Sequence, residues 1–338
     1  MIIDLSLLFW AILVSATLAL ILSPGMIWLS NKLGLVDKPG SALHKMHQVD
    51  TPMAGGLVIL FGGGLTLLVL PLQYSSELFG LLGGVLVVTL FGLMDDRINL
   101  SPIYKLIGQF LAAGIVIYFG IQVHITRVGW LDIVISFLWL VGLTNAFNFV
   151  DSMDGLAIGL AGIASAFFML VNIDSFQLNL AALSAVLLGT MIGSFLFSSP
   201  PAKMFLGDSG SQALGISLAS IGIAYTPGAA GLPQAVSWFT PILVLGVPIF
   251  DMILVVISRL RRRQPIYRAA TDHLYHRFTM LGLHPNRAVS LMQITAILMS
   301  LTAFVALGAS VTLANVLFGS IVFAGIIVFI YLERRFSA

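Results

Sequence analysis

Most of the side chains able to do chemistry in this chain fall into a few short stretches. The first is "MDDRINLSPIYK", residues 94–105, at the end of a long apolar run. Adjacent carboxylates on Asp95 and Asp96 repel each other, and at a helix C-terminus they oppose the macrodipole. A cation must offset them: a metal ion, Lys105 or Arg97. Ser101 suits an N-cap and Pro102 the first helical position, which puts Lys105 in the first turn of the next helix. An ammonium there is unfavourable unless an anion lies near it. Free backbone N–H groups beside an ammonium describe a phosphate site. The plain alternative is a lysine snorkelling to the membrane interface.

The densest stretch is "NAFNFVDSMDGLA", residues 145–157. Asn145, Asn148, Asp151 and Asp154 recur every third residue, so on a helix they would be neighbours spread over roughly half the circumference. Gly155 marks a break. Core amides that bond one another are the alternative, but two carboxylates at the end of an apolar span argue for a ligand. In "FLGDSGSQALG", Asp208 lies between Gly207 and Gly210, which leaves room for close backbone approach; a capping aspartate is the alternative. The stretch 258–287 is strongly basic. Arg261 to Arg263 read as contacts to anionic lipid. His273 and Arg277, four apart, would share a helix face. With His276 the two histidines could ligate a metal, but the arginine beside them fits phosphate better. Asp251 is placed to orient one of these groups. Near the N-terminus, "VDKPGSALHKMH" holds Asp37, His44, Lys45 and His47, by itself a polar turn.

The elements that carry these residues are apolar. Hydrophobic residues make up 59% of the 338 and charged ones only 9%, against about 25% charged in soluble domains. Runs long enough to cross a hydrocarbon core of about 30 Å recur. We count eleven, near 5–29, 54–72, 78–94, 102–121, 130–147, 155–172, 178–198, 209–226, 236–257, 288–308 and 312–332. Backbone in lipid must satisfy its own hydrogen bonds, and runs of this length do so as helices. The fold class is therefore all-α and polytopic, one integral membrane domain over 1–338. With the N-terminus outside and the C-terminus cytoplasmic, only Arg127 of the 16 lysines and arginines falls outside, a strong positive-inside pattern. The first ten residues lack a positive n-region, so the first run reads as a retained span. No cysteine is present, which excludes disulfides and thiolate metal sites. A net charge of +2 gives no reason to expect a nucleic-acid partner.

In this topology the segments 31–53, 95–105, 145–155, 199–210 and 258–287 all face the cytoplasm, with helix N-termini pointing into the same region. Carboxylates with few competing cations imply a hard divalent ion with oxygen ligands, Mg²⁺ first and Mn²⁺ as its substitute. Cations and helix N-termini imply phosphates. Together they suggest phosphoryl transfer onto or from a lipid. An ion-coupled transporter is the competing class, although transporter sites lie near the bilayer midplane on interrupted helices.

The same stretches resemble the polyprenyl-phosphate N-acetylhexosamine-1-phosphate transferases, in particular the bacterial WecA/TagO-like branch. The resemblance runs from about residue 35 to 285. "MDDRINLSPIYK" matches the double-aspartate motif, "NAFNFVDSMDGLA" and "FLGDSGSQALG" are near-complete matches, and "DHLYHR" is similar to an HLHHR signature with Tyr275 in place of histidine. The Ala-Asp-Arg that usually precedes that signature is replaced by Ala269, Ala270 and Thr271.

This resemblance implies transfer of N-acetylhexosamine 1-phosphate, GlcNAc 1-phosphate first, from a UDP-sugar to undecaprenyl phosphate, with release of UMP. Such a step at the bacterial inner membrane starts a cell-envelope polysaccharide such as lipopolysaccharide. The roles implied are Asp208 and Asn148 as Mg²⁺ ligands, and Asp95, Asp96, Lys105, His276 and Arg277 as catalytic residues. Substrate binding falls to Lys45, His47, Asn145, Asp151, Asp154 and His273. Membrane lipids are further partners, and a homodimer is compatible with the reading. The muramoyl-pentapeptide branch of the same superfamily has a more histidine-rich signature.

Overall fold

A computed structural model describes residues 5–39, 49–72, 75–126, 128–175, 177–225, 238–267 and 271–336. Among the described residues the chain is all-α apart from one two-stranded ribbon and an isolated bridge between Met53 and Phe205. Seven helices among the described residues are long and apolar enough to cross a membrane: α1 (Leu5–Leu33), α4 (Ser76–Ile98), α6 (Gly129–Val150), α7 (Leu156–Asp174), α8 (Leu178–Ser198), α13 (Pro285–Leu307) and α14 (Val311–Phe336). Two apolar helices are shorter. One runs from Gly55 to Val69 as α2 (Gly55–Val58), a π-helical turn (Ile59–Gly63) and α3 (Gly64–Val69). The other is α5 (Pro102–Tyr118). The remaining elements are α9 (Gly207–Ala224), α10 (Thr240–Val244), α11 (Gly246–Arg261) and the short α12 (Leu274–Met280). Seven of the apolar runs read from the sequence fall on these long helices, two on the shorter ones and one on α9. The run near 236–257 is interrupted at Leu245, between α10 and α11. The protein is a multi-pass, all-helical membrane protein.

The helix at the centre is α9, buried continuously from Ser209 to Gly222. Most side chains there are serine, glycine or alanine. Lipid gives helices no hydrophobic reason to associate, so small residues that let backbones approach are what hold them together. At the crossing of α4 with α9, a Cβ on Gly92 would lie 2.4 Å from Ser209 Cα. No other residue allows that approach, and it brings the end of α4, with its two aspartates, against the start of α9.

A second tie aligns the approach to α9. Strand β1 (Val36–Asp37) pairs antiparallel with β2 (Thr51–Pro52). Phe205 N–H then donates to Pro52 O at 2.9 Å, and Phe205 O accepts from Ala54 and Gly55 N–H at 3.2 and 3.0 Å. The free N–H groups at the start of α2 are thus satisfied by the segment leading into Asp208. Lys45 and His47, with His44, lie outside the described residues.

Candidate active site

Two helix ends and two helix beginnings meet at Asp208. Helix α4 stops at Asn99, which takes a left-handed conformation. The chain reverses to Ser101 and Pro102, which occupy the N-cap and first-turn positions expected of them, although the Ser101 hydroxyl makes no capping bond. Lys105, one turn into α5, places Nζ 2.6 Å from Asp95 Oδ2 and 2.6 Å from Asp208 Oδ2. The cation that is unfavourable at a helix start is therefore balanced by two carboxylates. Asp95 also accepts from Leu100 N–H at 2.6 Å, which fixes the turn between α4 and α5.

The twin aspartates divide. Among the described residues Asp96 forms no ion pair with a lysine or arginine; it meets the start of α9. Its Oδ1 accepts from Asp208 N–H at 2.7 Å, and its Oδ2 from Ser209 Oγ at 2.7 Å and Ser209 N–H at 3.2 Å. A carboxylate at a helix N-terminus satisfies orphan donors and the dipole together. The arrangement needs a glycine at 207: φ is +68°, and a Cβ would lie 2.7 Å from Asp96 Oδ2. Both Asp96 oxygens are thus engaged at the start of α9, where they set the Asp208 backbone. Asp95 is left as the carboxylate beside Lys105.

Asn148 donates from Nδ2 to Asp208 Oδ1 at 3.1 Å and to Ser211 Oγ at 3.0 Å. Asn145 lies one turn deeper. It exchanges hydrogen bonds with Gln109 at 2.7 and 3.2 Å, and Gln109 donates to Gln212 Oε1 at 3.3 Å. Asn145, given to substrate binding by the resemblance, sits in a ladder of amides in which Gln109 and Gln212 supply the partners an amide inside the bundle needs. The three-residue repeat also does not run along one helix. Helix α6 ends at Val150, Asp151 is its C-cap, Asp154 lies in the following turn, and Gly155 opens α7 at the expected break. Asp154 Oδ2 accepts from Ala202 N–H at 3.2 Å, tying that turn to the segment before Asp208. Burial raises the Asp151 carboxyl well above the usual range, and the charges of Asp208, Asp96 and Asp154 push it the same way.

The basic loop closes over the end of α6. His273 caps α12, so it does not share a helix face with Arg277 as the spacing suggested. Its Nδ1 lies 3.0 Å from Asp251 Oδ2, while Asp251 Oδ1 accepts from Leu274 N–H at 2.6 Å. Asp251 therefore does orient this loop. The His273 ring meets Phe149 edge-on at 5.6 Å, one residue from Asn148, and the buried His276 ring lies 3.9 Å from that of Tyr275. Burial raises the Tyr275 hydroxyl, with Asp251 and Asp154 adding to it. That places Tyr275 beside the acidic turn. Arg277 is 2% exposed. Its guanidinium is engaged by Glu333 Oε1, Ser258 Oγ and Asp272 O at 2.8, 2.9 and 3.0 Å. The guanidinium, given a catalytic role by the resemblance, is anchored here by protein partners.

Several of these partners carry no motif. Arg259 grips Asp272 with two bonds, at 3.0 and 2.8 Å. Burial opposes ionisation of Asp272, but Arg259 prevails and, with His273 and Arg262, holds the carboxyl below its ordinary value. Gln109 and Glu333 likewise escape a reading of motifs, whereas Ser209 lies inside "FLGDSGSQALG". The one signal was a polar residue inside an apolar run, which Gln109 shows.

A family model described as Glycosyl transferase family 4 matches residues 78–226, which include Asp95, Asp96, Lys105, Asn148, Asp151, Asp154 and Asp208. The chain is 30% identical to a probable undecaprenyl-phosphate N-acetylglucosaminyl 1-phosphate transferase of Bacillus subtilis, over 94% of this chain and 90% of that protein. It belongs to the polyprenyl-phosphate N-acetylhexosamine-1-phosphate transferase family. A second member, the decaprenyl-phosphate N-acetylglucosaminephosphotransferase of Mycobacterium tuberculosis, is 29% identical over 91% of this chain and 84% of its own length. Similarity to the phospho-N-acetylmuramoyl-pentapeptide-transferase of Limosilactobacillus fermentum, at 32% identity, spans 56% of this chain and 64% of that one. Within the transferase family, the likeness to the N-acetylglucosamine enzymes thus extends further along the chain.

Proposed function

We propose that this chain transfers GlcNAc 1-phosphate from UDP-GlcNAc to undecaprenyl phosphate at the cytoplasmic face of the bacterial inner membrane, starting an envelope polysaccharide. An eleven-crossing topology with the N-terminus outside belongs to this reading. The observation that carries it is Lys105, shared between Asp95 and Asp208 at the start of α9. One ammonium among several carboxylates at a membrane protein's helix ends suits a di-anionic substrate arriving with its own cation.

The donor set supports Mg²⁺. Oxygen donors converge, thiolates are absent, and the clustered charge that raises Asp151 is what a divalent cation would neutralise. Among the described residues no three acidic or imidazole groups form a ready cage. Mg²⁺ needs none, since it binds through one or two carboxylates together with water and substrate phosphates. Asp208 and Asn148 would hold it, with Asp151 close by, and bound Mg²⁺ supplies charge neutralisation and polarisation of the diphosphate.

The chain's own residues do the rest. An acceptor phosphate monoester has its second pKa near 6, so it arrives largely ionised. An oxygen of that phosphate attacks the β-phosphorus, the α–β anhydride breaks, and UMP leaves with the electron pair. Lys105 offsets repulsion between the two anions. Asp95 takes up the residual proton of the acceptor. Asp96 keeps the Asp208 backbone fixed. Beside Lys105, α5 and α6 carry an apolar groove of about 400 Å³ lined by Ile103, Leu106, Ile107, Phe110, Leu111 and Phe137, a surface suited to the isoprenoid chain.

The test is UMP release by the purified chain with Mg²⁺, undecaprenyl phosphate and a panel of UDP-sugars. Turnover of UDP-GlcNAc or another UDP-N-acetylhexosamine is expected. Turnover confined to UDP-MurNAc-pentapeptide would move the chain to the muramoyl branch, and none with any donor would refute the reading.

A further inference from the structure

We infer that Glu333 on the last helix is a positioning residue for the loop between α11 and α13, and that Arg277 serves the reaction through this clamp. Helix α14 runs for 26 residues, yet only Ala314, Leu332 and Glu333 are buried. A stripe with Leu317, Phe318, Ile321 and Phe329 packs against the core while the rest is exposed, and among the described residues the helix makes its charged attachments at the final turn. A carboxylate at a helix C-terminus is disfavoured by the dipole, and burial adds a desolvation penalty. Two arginines offset both. Glu333 Oε1 accepts from Arg277 Nη1 at 2.8 Å, and Oε2 from Arg261 Nη1 at 3.1 Å. The Phe336 ring lies 6.0 Å from the Arg277 guanidinium carbon.

The knot joins three elements, two of them consecutive in the chain and the third 56 residues beyond Arg277. Arg261 and Ser258 end α11, Arg277 belongs to α12, and Glu333 ends α14. From the knot, one turn back along α12, the chain carries His276, then His273, whose ring packs on Phe149 beside Asn148. Arg259, Arg262 and Asp272 close the other side of the loop. Releasing Glu333 therefore loosens the segment that brings the His273 ring to the end of α6. The geometry distinguishes this from direct substrate contact. A diphosphate ligand needs guanidinium N–H groups facing the site, whereas those of Arg277 face a buried glutamate, a serine hydroxyl and a backbone carbonyl.

As a statement about transfer, the clamp rests on the function proposed above, so its test has an arm independent of activity. The full chain in detergent is compared as wild type, Glu333→Ala, Arg277→Ala, the double variant and Glu333→Gln. UMP release is measured, together with tryptic cleavage after the exposed Arg263 without substrate. Each single alanine variant should lower kcat about tenfold, with KM for UDP-GlcNAc moved less, and both should speed cleavage alike. The double variant should be no worse than the more affected single. Glu333→Gln, which keeps one acceptor, should recover part of both and also serves if the alanine variant does not fold. Loss of transfer in Arg277→Ala with wild-type activity and cleavage in Glu333→Ala would overturn the clamp. So would effects that simply multiply in the double variant. If the wild type releases no UMP from any donor, the transferase reading falls by itself. Cleavage then still decides: coupled singles support the clamp, and independent ones refute it.

Discussion

Asp208→Asn should lower UMP release by on the order of 10³-fold, the scale seen when one preorganised electrostatic partner is lost from an active site. The substitution is isosteric. An asparagine there keeps one acceptor oxygen, so the bond from Lys105 at 2.6 Å can be retained, while its amide nitrogen gives up the bond from Asn148 at 3.1 Å. The backbone bond to Asp96 is untouched. Removing one negative charge relieves its repulsion with Asp96 and Asp151 but weakens the pair with Lys105, which Asp95 still holds, so the thermal midpoint should move little. Catalysis should fall because the donor diphosphate loses the residue that would hold its cation. Activity and thermal unfolding measured on the same preparation separate the two effects. Full turnover in Asp208→Asn refutes the metal assignment, and a collapsed midpoint would make Asp208 a structural residue.

Lys105→Met should be the second large loss, about 10²-fold or more in kcat, and unlike the first it should also cost stability. With the ammonium gone, Asp95 and Asp208 keep two carboxylate oxygens that each stood 2.6 Å from the same nitrogen. Breaking a buried pair leaves an uncompensated charge and costs several kcal/mol. Lys105 is 30% exposed in its side chain, so we expect about 2 kcal/mol. Lys105→Arg should keep much of the stability and less of the rate, because a planar fork cannot replace a point charge shared between two carboxylates. The combination Lys105→Met with Asp208→Asn should be more stable than Lys105→Met alone. Measured midpoints and kcat for the four proteins close the cycle; a Lys105→Met variant with wild-type rate would remove Lys105 from the mechanism.

What the sequence made legible was what adjacent residues reveal. The apolar runs gave helices. The Ser101–Pro102 pair placed Lys105 at the start of one, and Gly155 broke the chain before α7. The flanking glycines announced close approach at Asp208. Contacts made across the chain were not legible. The tie from Asp96 to the Asp208 backbone spans 112 residues, so nothing local distinguishes it from Asp95. The Arg277–Glu333 pair spans 56, and a charge-and-phosphate argument gave the arginine to the substrate. Asn145 looked like a ligand because Gln109 and Gln212, its actual partners, sit on two other helices. Periodicity failed at 151–154 because a helix was assumed to continue past Val150, where the polar turn ends it.

The central claim is that these helix ends move a sugar together with its phosphate onto a lipid. The most direct measurement follows a radiolabel in the β-phosphate of UDP-GlcNAc, with purified protein, Mg²⁺ and undecaprenyl phosphate. Cleavage between the α- and β-phosphorus predicts that the label enters the organic phase in one-to-one ratio with UMP, and only when the lipid phosphate is present. Label retained in water as UDP while sugar passes to lipid, or UMP released without the lipid acceptor, would contradict the account.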